Sequence, residues 1–208
     1  MKIVAISDTH SLHELVKIPK CDILIHAGDF TGNGSLEHCE CFAEWFKKQP
    51  AKYKVCIAGN HDSCAAKEHD YVADIFLDNN IVYLENRFAN IEGIKIYGSP
   101  MTPRFLNWYF MYERGTGKKY WNMIPKDTDI LVSHGPAYGK LDLIDDNRVK
   151  HNVGCQELGE AIKKLPALKY HICGHIHSGY GSIDSKYYNA SVCNEDYEVV
   201  NKRLIIKI

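Results

Sequence analysis

The sequence predicts an α/β fold in which short buried strands alternate with helices. Three runs, KIVAIS, DILIHA and KVCIA, are almost wholly apolar, as in strands that are covered on both faces. A helical pattern separates the second run from the third, and each run ends in a short polar motif. The chain has 208 residues and shows no repeat, low-complexity tract or linker, so we expect one domain over residues 1–208.

The first half of the chain supplies most of the parallel strands. Residues 2–7, 22–27 and 54–58 are the predicted strands that carry the three apolar runs. Residues 35–48 form a predicted helix with Ser35 as its N-cap, because acidic residues follow its start and Lys47 and Lys48 lie near its negative end. Two further strands are expected at 81–84 and 94–97.

The second half continues the alternation. After Ser99-Pro100 comes an aromatic segment, Trp108 to Tyr112, and then a helix-like stretch to residue 123. A buried strand is predicted at 129–133, and a helix follows at 155–165, with Leu158, Ile162 and Leu165 on one face. The next strand is expected at 169–173, and residues 180–192 and 204–208 resemble a closing antiparallel meander.

Five polar motifs lie just after predicted strands, where loops of an open α/β sheet converge on a ligand. They combine carboxylate, amide and imidazole groups and contain no thiolate, which suits a two-metal hydrolytic centre better than a structural zinc site. The motifs are Asp8-Thr9-His10, Gly28-Asp29, Gly59-Asn60-His61-Asp62, Ser133-His134-Gly135 and Gly174-His175-Ile176-His177.

The composition limits the expected binding partners of the protein and the expected cellular compartment. The formal net charge of −1 gives no polycationic surface for long nucleic acid. The eight cysteines include no CxxC pair, and four of them lie in or beside apolar runs, so we expect reduced thiols in an intracellular protein. The first apolar run is too short for a signal peptide and no run could span a membrane, so a cytoplasmic location without membrane association is expected.

From Asp8 to His177, the motif set resembles the calcineurin-like metallophosphoesterase superfamily. The segments HAGDFT, GSPMTPRFLNWYF, SHGPAYG, GHIHSGYG and NASVC resemble, more narrowly, its metallophosphoesterase-domain-containing branch, which is similar to class III cyclic nucleotide phosphodiesterases. The resemblance implies a four-layer α/β/β/α sandwich, in which two mixed sheets are flanked by helices and the metal pair lies at one sheet edge.

The resemblance also implies a ligand set for two divalent metal ions. Asp29 would bridge both ions through its carboxylate, and manganese is the expected metal, with iron, zinc, cobalt and nickel as alternatives. Some members of the branch have glycine at the first histidine of GHIH, which weakens the site; this chain has histidine there, so we expect turnover. The remaining ligands would be Asp8, His10 and His177 for the first metal, and Asn60, His134 and His175 for the second.

His61 and Asp62 are the predicted catalytic residues that are not ligands, and Asn60 and His61 would contact the substrate. His61 would stabilise a phosphoryl oxygen or protonate the leaving alkoxide, with Asp62 orienting its ring. The alternative is that His61 only fixes the GNHD turn. The expected reaction is hydrolysis of a small phosphodiester by attack of a metal-bridging hydroxide.

Several alternatives stay open at this point. The substrate could be a cyclic or other nucleotide diester or a phosphomonoester, as for a protein phosphatase; a nuclease ranks third, and a non-catalytic nucleotide-binding scaffold represents a different class. A homodimer is consistent with a chain of this size. The segment from Trp108 to Tyr112 could stack a nucleobase, form a packed lid or line a dimer surface. We expect His26 and His171 to be structural, and other histidines, including His13, to be at the surface.

Overall fold

Two mixed β-sheets lie face to face in the computed structural model, which describes residues 1–146 and 149–208. The helices are α1 (Leu36–Lys47), α2 (Ser63–Lys67), α3 (His69–Asp78), α4 (Lys118–Trp121) and α5 (Gln156–Ile162). The strands, in chain order, are β1 (Lys2–Ile6), β2 (Cys21–Ala27), β3 (Ala51–Ile57), β4 (Val82–Tyr83), β5 (Arg87–Ile91), β6 (Ile94–Ser99), β7 (Thr102–Pro103), β8 (Met111–Tyr112), β9 (Ile130–Ser133), β10 (Leu143–Asp146), β11 (Val149–Asn152), β12 (Tyr170–Cys173), β13 (Gly181–Ile183), β14 (Tyr187–Asn189) and β15 (Leu204–Lys207).

The first sheet has the order β15-β1-β2-β3-β4, with β1 to β4 parallel and β15 antiparallel to β1. Its strands are apolar on both faces because both faces are covered. Ile3 and Ile25 face the second sheet, whereas Val4 and Leu24 face the helical layer that contains Phe42 of α1. All five of these side chains are fully buried.

The second sheet has the order β13-β14-β12-β9-β6-β5, with four parallel strands inside and an antiparallel strand at each edge. On the outer face of this sheet, Leu131 packs with Leu158 and Ile162 of α5 and with Leu165 just after it. These three residues form the apolar face that the sequence predicts for the helix at 155–165. Three hydrophobic layers therefore separate helices, sheet, sheet and helices, which confirms the predicted four-layer sandwich.

Helix α1 begins where the sequence predicts. Ser35 adopts an extended conformation, and its side-chain oxygen accepts a hydrogen bond from the backbone nitrogen of His38 at 3.2 Å. This bond satisfies one of the unpaired donors of the first turn. Phe42 and Phe46 are buried on the inner face of the helix, with ring centroids 5.0 Å apart.

Other elements differ from the prediction. The helix-like stretch to residue 123 contains only the four-residue α4, and α2, α3, β5 and the β10–β11 hairpin were not predicted. The closing meander is wrong in part: β13 and β14 are antiparallel, but β15 pairs with β1 in the other sheet. An edge strand carries no local signal for its partner, because tertiary packing decides which sheet it joins.

All eight cysteines are free, and seven of them are buried. Within residues 1–146 and 149–208, no helix combines the length and the apolar character that crossing a membrane requires.

Candidate metal centre

The five motifs meet at one edge of the sandwich, where the carboxyl ends of strands from both sheets converge. Asp8 follows β1 and Asp29 follows β2, and backbone hydrogen bonds join these turns, from His10 nitrogen to Asp29 oxygen at 3.0 Å. The second sheet contributes the turns after β9 and β12, which are joined by a bond from Gly174 nitrogen to His134 oxygen at 2.9 Å. Residues that are distant in sequence therefore surround one point.

One cluster consists of Asp8, His10 and His177, whose ligand atoms all lie within 4.8 Å of one another. The Nε2 atom of His177 is 3.2 Å from Nε2 of His10 and 3.6 Å from Oδ1 of Asp8. The Nδ1 atom of His177 donates to the carbonyl of Asn194 at 2.7 Å, which leaves its Nε2 with a lone pair. Two imidazole nitrogens and a carboxylate oxygen that face one point are a donor set that fits a divalent cation.

The second cluster consists of Asp29, His134 and His175, again within 4.8 Å. The Nδ1 atom of His134 donates to the carbonyl of Ala27 at 3.0 Å, so its Nε2 is free to face the cluster. That Nε2 atom lies 2.9 Å from Oδ1 of Asn60 and 3.3 Å from Oδ2 of Asp29. The amide oxygen of Asn60 therefore joins the second cluster.

Asp29 lies between the two clusters. Its carboxylate also forms a third group of ligand atoms with His10 and His61, within the same 4.8 Å limit. Because Asp29 reaches His10 on one side and His134 on the other, it occupies the place of a bridging carboxylate. The residues present thus fit a pair of cations.

The electrostatics of the site suit metal ligands. Burial lowers the pKa of His10 to about 4 and that of His175 to about 3, so both imidazoles are neutral and can donate lone pairs. Burial opposes ionisation of Asp29, but the charge of His134 holds the pKa of the Asp29 carboxyl well below its usual range. Burial also opposes the charge on His134, yet Asp29 raises the pKa of His134 to about 9.

The backbone around the ligands is strained. Asp8, His10, Asp29 and His175 all have φ between 43° and 69°, in the left-handed region that side chains rarely adopt. Gly174 is needed for a different reason: a Cβ there would lie 2.2 Å from Oδ2 of Asp8. Strain of this kind persists only where the surrounding structure enforces it, and here it turns four predicted ligands inward.

His61 lies on the wall of the same site. Its backbone nitrogen donates to Oδ1 of Asp29 at 2.8 Å, and its Nδ1 donates to the carbonyl of Gly32 at 3.0 Å. The ring centroid of His61 is 4.6 Å from that of His10, at an interplanar angle of 76°. His61 therefore helps to fix the turn and also presents its Nε2 side at the rim of the cluster.

Asp62 corrects one expectation, because its carboxylate does not orient the His61 ring. Oδ1 accepts hydrogen bonds from both the nitrogen and the hydroxyl of Thr31 at 2.8 Å. Oδ2 accepts from Gly59 nitrogen at 2.8 Å and from Phe30 nitrogen at 3.3 Å. Burial, together with the charge of Asp29, raises the pKa of Asp62 to about 7. Asp62 ties together the loops that follow β2 and β3, and the Gly32 carbonyl orients the imidazole of His61.

Residues at the end of β14 and just after it support the site, and sequence reasoning gave them no role. The Ser191 hydroxyl donates to Oδ2 of Asp8 at 2.7 Å, and Asn189 donates to the carbonyl of Ile176 at 2.8 Å. Both residues lie in the NASVC segment. The resemblance of that segment to the family was the only feature of the sequence that could have pointed to them as site residues. His26 supports the site from below, since its Nδ1 accepts from Gly28 nitrogen at 3.3 Å.

The other histidines follow the prediction in part: His69 and His151 are exposed, and His38 is partly buried. His171 is buried and contacts Ser133 through its Nε2 at 2.7 Å, as expected for a structural residue. The surface prediction for His13 is wrong: the residue is 5% exposed, and its ring lies 5.1 Å from that of Trp45. The polar residues around His13 in the sequence concealed its contact with α1.

A cleft of about 340 Å³ opens beside the metal centre. Asn60, His61, His175 and His177 line its inner end. Apolar side chains also line the cleft, among them Phe105, Ile144, Val153 and Tyr197, together with the charged residues Arg114 and Glu195. The cleft therefore places apolar side chains beside the candidate metal ligands.

Comparison with known proteins agrees with this geometry. The family model described as calcineurin-like phosphoesterase matches residues 1–179. Metallophosphoesterase domain-containing protein 1 of Homo sapiens is 35% identical over 234 residues, covering 100% of this chain and 71% of the relative. The probable glycerophosphodiester phosphodiesterase GpdQ of Arcobacter nitrofigilis is 28% identical over 169 residues, covering 76% of this chain and 58% of that protein.

Among solved structures, the protein TT1561 of Thermus thermophilus shares the fold. Its TM-score is 0.63 at 13% sequence identity, over 90% of this chain and 88% of that one. The family model over residues 1–179 and the Homo sapiens relative, which aligns with the whole of this chain, show that the similarity is also one of sequence. The chain belongs to the calcineurin-like phosphoesterase family.

Proposed function

We propose that the chain is a binuclear metal-dependent phosphodiesterase that hydrolyses small phosphodiesters, nucleotide diesters among them, in the cytoplasm. The observation that carries the proposal is the position of Asp29 between two clusters of imidazoles and carboxylates, at the inner end of a cleft. Members of this family typically bind two metal ions, and the donor set here suits manganese first and iron, zinc, cobalt or nickel as alternatives.

Some residues would bind the metals, and others would hold those ligands in the correct orientation. Asn194 and Ala27 fix the tautomers of His177 and His134 through their carbonyl oxygens, so that each Nε2 is available as a ligand. When bound, two divalent cations acidify water and neutralise charge on a phosphoryl group. The proposed ligands are Asp8, His10 and His177 on one side, Asn60, His134 and His175 on the other, and Asp29 between them.

His61 has the geometry of a group that acts on the substrate. Its Nδ1 proton is held by the Gly32 carbonyl, so Nε2 is the atom that can meet a phosphoryl oxygen or give a proton to the leaving alkoxide. Asn60 presents a neutral amide at the same end of the cleft, which adds no negative charge beside the phosphate. Asp62 keeps the backbone of both loops in place.

The cleft favours a diester over a monoester. Its volume is much larger than a phosphoryl group needs, and its apolar wall suits an organic group on the ester oxygen that does not leave. A monoester carries only the organic group that leaves, so it lacks a second group to contact apolar lining residues such as Phe105 and Ile144. The relative named as a glycerophosphodiester phosphodiesterase is consistent with this preference.

The test is hydrolysis by protein that has been stripped of metal with a chelator and reconstituted with Mn²⁺. Bis-p-nitrophenyl phosphate is compared with p-nitrophenyl phosphate, and His61→Ala with the control His69→Ala, whose side chain is about half exposed. We expect faster diester cleavage that requires metal and falls about 10²–10⁴-fold in His61→Ala alone. Faster monoester cleavage would assign a phosphomonoesterase, and no cleavage by metal-loaded protein would leave a nucleotide-binding scaffold.

A further inference from the structure

The loop between β7 and β8, residues 104–110, is called here the aromatic loop. Its ends are joined by hydrogen bonds from Arg104 nitrogen to Tyr112 oxygen at 2.8 Å and from Thr102 nitrogen to Phe110 oxygen at 2.9 Å. Near its tip, Tyr109 nitrogen approaches the carbonyl of Asn60 at 3.4 Å. The loop is therefore closed at its base and bent back onto the GNHD turn.

The indole of Trp108 stacks on the imidazole of His61. The ring centroids are 4.3 Å apart and the planes are inclined by 25°, which is an offset-stacked contact. The edge of the His10 ring approaches the same imidazole, and the Gly32 carbonyl holds its Nδ1. Three contacts thus hold the plane of the His61 ring, and the one with Trp108 comes from the aromatic loop.

Two aromatic side chains of the segment and its loop contact predicted site residues, and the roles that the sequence left open for the segment stay predictions. A face of Trp108 is already occupied by His61, and Phe105 lies against His175 with centroids 5.1 Å apart. Trp108 and Phe105 therefore both pack on residues of the candidate metal centre. Trp108 is also 39% exposed, so the indole lies between His61 and solvent.

We infer that Trp108 is a positioning residue for His61: its indole holds the imidazole in the plane in which Nε2 faces the phosphoryl group. The inference rests on the proposed role of His61. Without the indole, the imidazole would spend less of its time in the productive orientation, because rotation of the ring would meet less resistance. The loss should appear in kcat, since Trp108 does not hold the substrate itself.

The experiment measures kcat and KM for bis-p-nitrophenyl phosphate with the Mn²⁺-loaded enzyme. The variants are Trp108→Ala, Trp108→Phe and the double variant with His61→Ala; Leu106→Ala, which changes a 62% exposed residue of the same loop, is the control. We expect Trp108→Ala to lower kcat by about 10-fold, with KM changed less than about 2-fold. Trp108→Phe should restore most of the rate, and Trp108→Ala should have no further effect when His61 is already alanine.

A second readout does not depend on activity. In metal-free protein, the nuclear Overhauser contact between the ring protons of His61 and His10, assigned by its loss in His61→Ala, should weaken in Trp108→Ala and persist in Leu106→Ala. This contact reports the distance between the two rings, so the lost ring current of the indole does not mimic the effect. The inference is overturned if the contact is unchanged in Trp108→Ala, if Trp108→Ala is equally harmful in the His61→Ala background, or if only KM rises. A wild-type enzyme that hydrolyses neither ester would instead remove the proposed function, and the contact between the rings would then decide alone whether Trp108 orients His61.

Discussion

Replacing Asp62 with asparagine should destabilise the fold without removing any proposed metal ligand. Each carboxylate oxygen accepts two hydrogen bonds, from Thr31 on one side and from Gly59 and Phe30 on the other. Asparagine keeps one acceptor oxygen and turns an NH₂ group toward two N–H donors. Each buried donor left without an acceptor costs about 1–3 kcal/mol, so the two together cost roughly 2–6 kcal/mol.

Part of that loss is offset. Burial raises the pKa of Asp62 to about 7, which means that the ionised carboxylate is itself costly in this position. Asparagine is neutral and avoids this cost, which the rise from 3.8 to about 7 puts at about 4 kcal/mol. Subtracted from the upper end of the range above, this leaves an expected net loss of about 2 kcal/mol in the free energy of unfolding. The loops that carry Asp29 and Asn60 should also loosen, and the affinity for Mn²⁺ should fall.

Urea unfolding of chelator-treated protein at about pH 8, above the pKa of Asp62, measures this loss directly. Asp70→Asn is the matched control, because that side chain is fully exposed, and it should stay within about 0.5 kcal/mol of the wild type. A loss below about 1 kcal/mol for Asp62→Asn would refute the reasoning that its carboxylate satisfies four donors.

Three further predictions follow from the same contacts. Gly174→Ala should displace the Asp8 carboxylate and lower Mn²⁺ affinity at least about 10-fold in calorimetry, whereas Gly159→Ala, with open space around it, should not. His175→Gly should lower both the bound Mn²⁺ and the rate of diester hydrolysis, and an unchanged rate would contradict its place in the second cluster. Burial lowers the pKa of His171 to about 3, whereas the value in the unfolded chain is about 6.5. Below pH 6.5 the unfolded chain therefore binds a proton at His171 that the folded protein does not, and the free energy of unfolding decreases as pH falls. Metal-free wild type should therefore lose about 2 kcal/mol more than His171→Phe between about pH 6.5 and pH 5 in urea unfolding; equal losses would show that His171 is not kept neutral by the fold.

Much of the fold was predictable because the central strands are apolar on both faces. The runs that became β1, β2 and β3 carry that signal in their own residues, and Ser35 marks the start of α1. The β10–β11 hairpin was missed because β11 is exposed throughout and shows no alternation of apolar and polar residues. The partner of β15 was missed because pairing is a property of the packed sheet and not of the strand.

Part of the candidate site was also predictable from the sequence, and part was not. The motifs predicted which side chains converge, since every one of them follows a strand, and the structure brings those side chains together. The direction of the Asp62 carboxylate and the stacking of Trp108 on His61 were not predictable, because both depend on loops that are distant in sequence. Adjacent residues such as His61 and Asp62 can face different parts of a site.

A manganese titration of metal-free protein, followed by electron paramagnetic resonance, tests the two-metal centre most directly. If Asp29 bridges the two clusters, the protein should bind two Mn²⁺ ions per chain with an exchange-coupled spectrum, and Asp29→Asn should lose the coupling. Binding of a single ion, or of two ions without coupling in the wild type, would contradict the bridged centre.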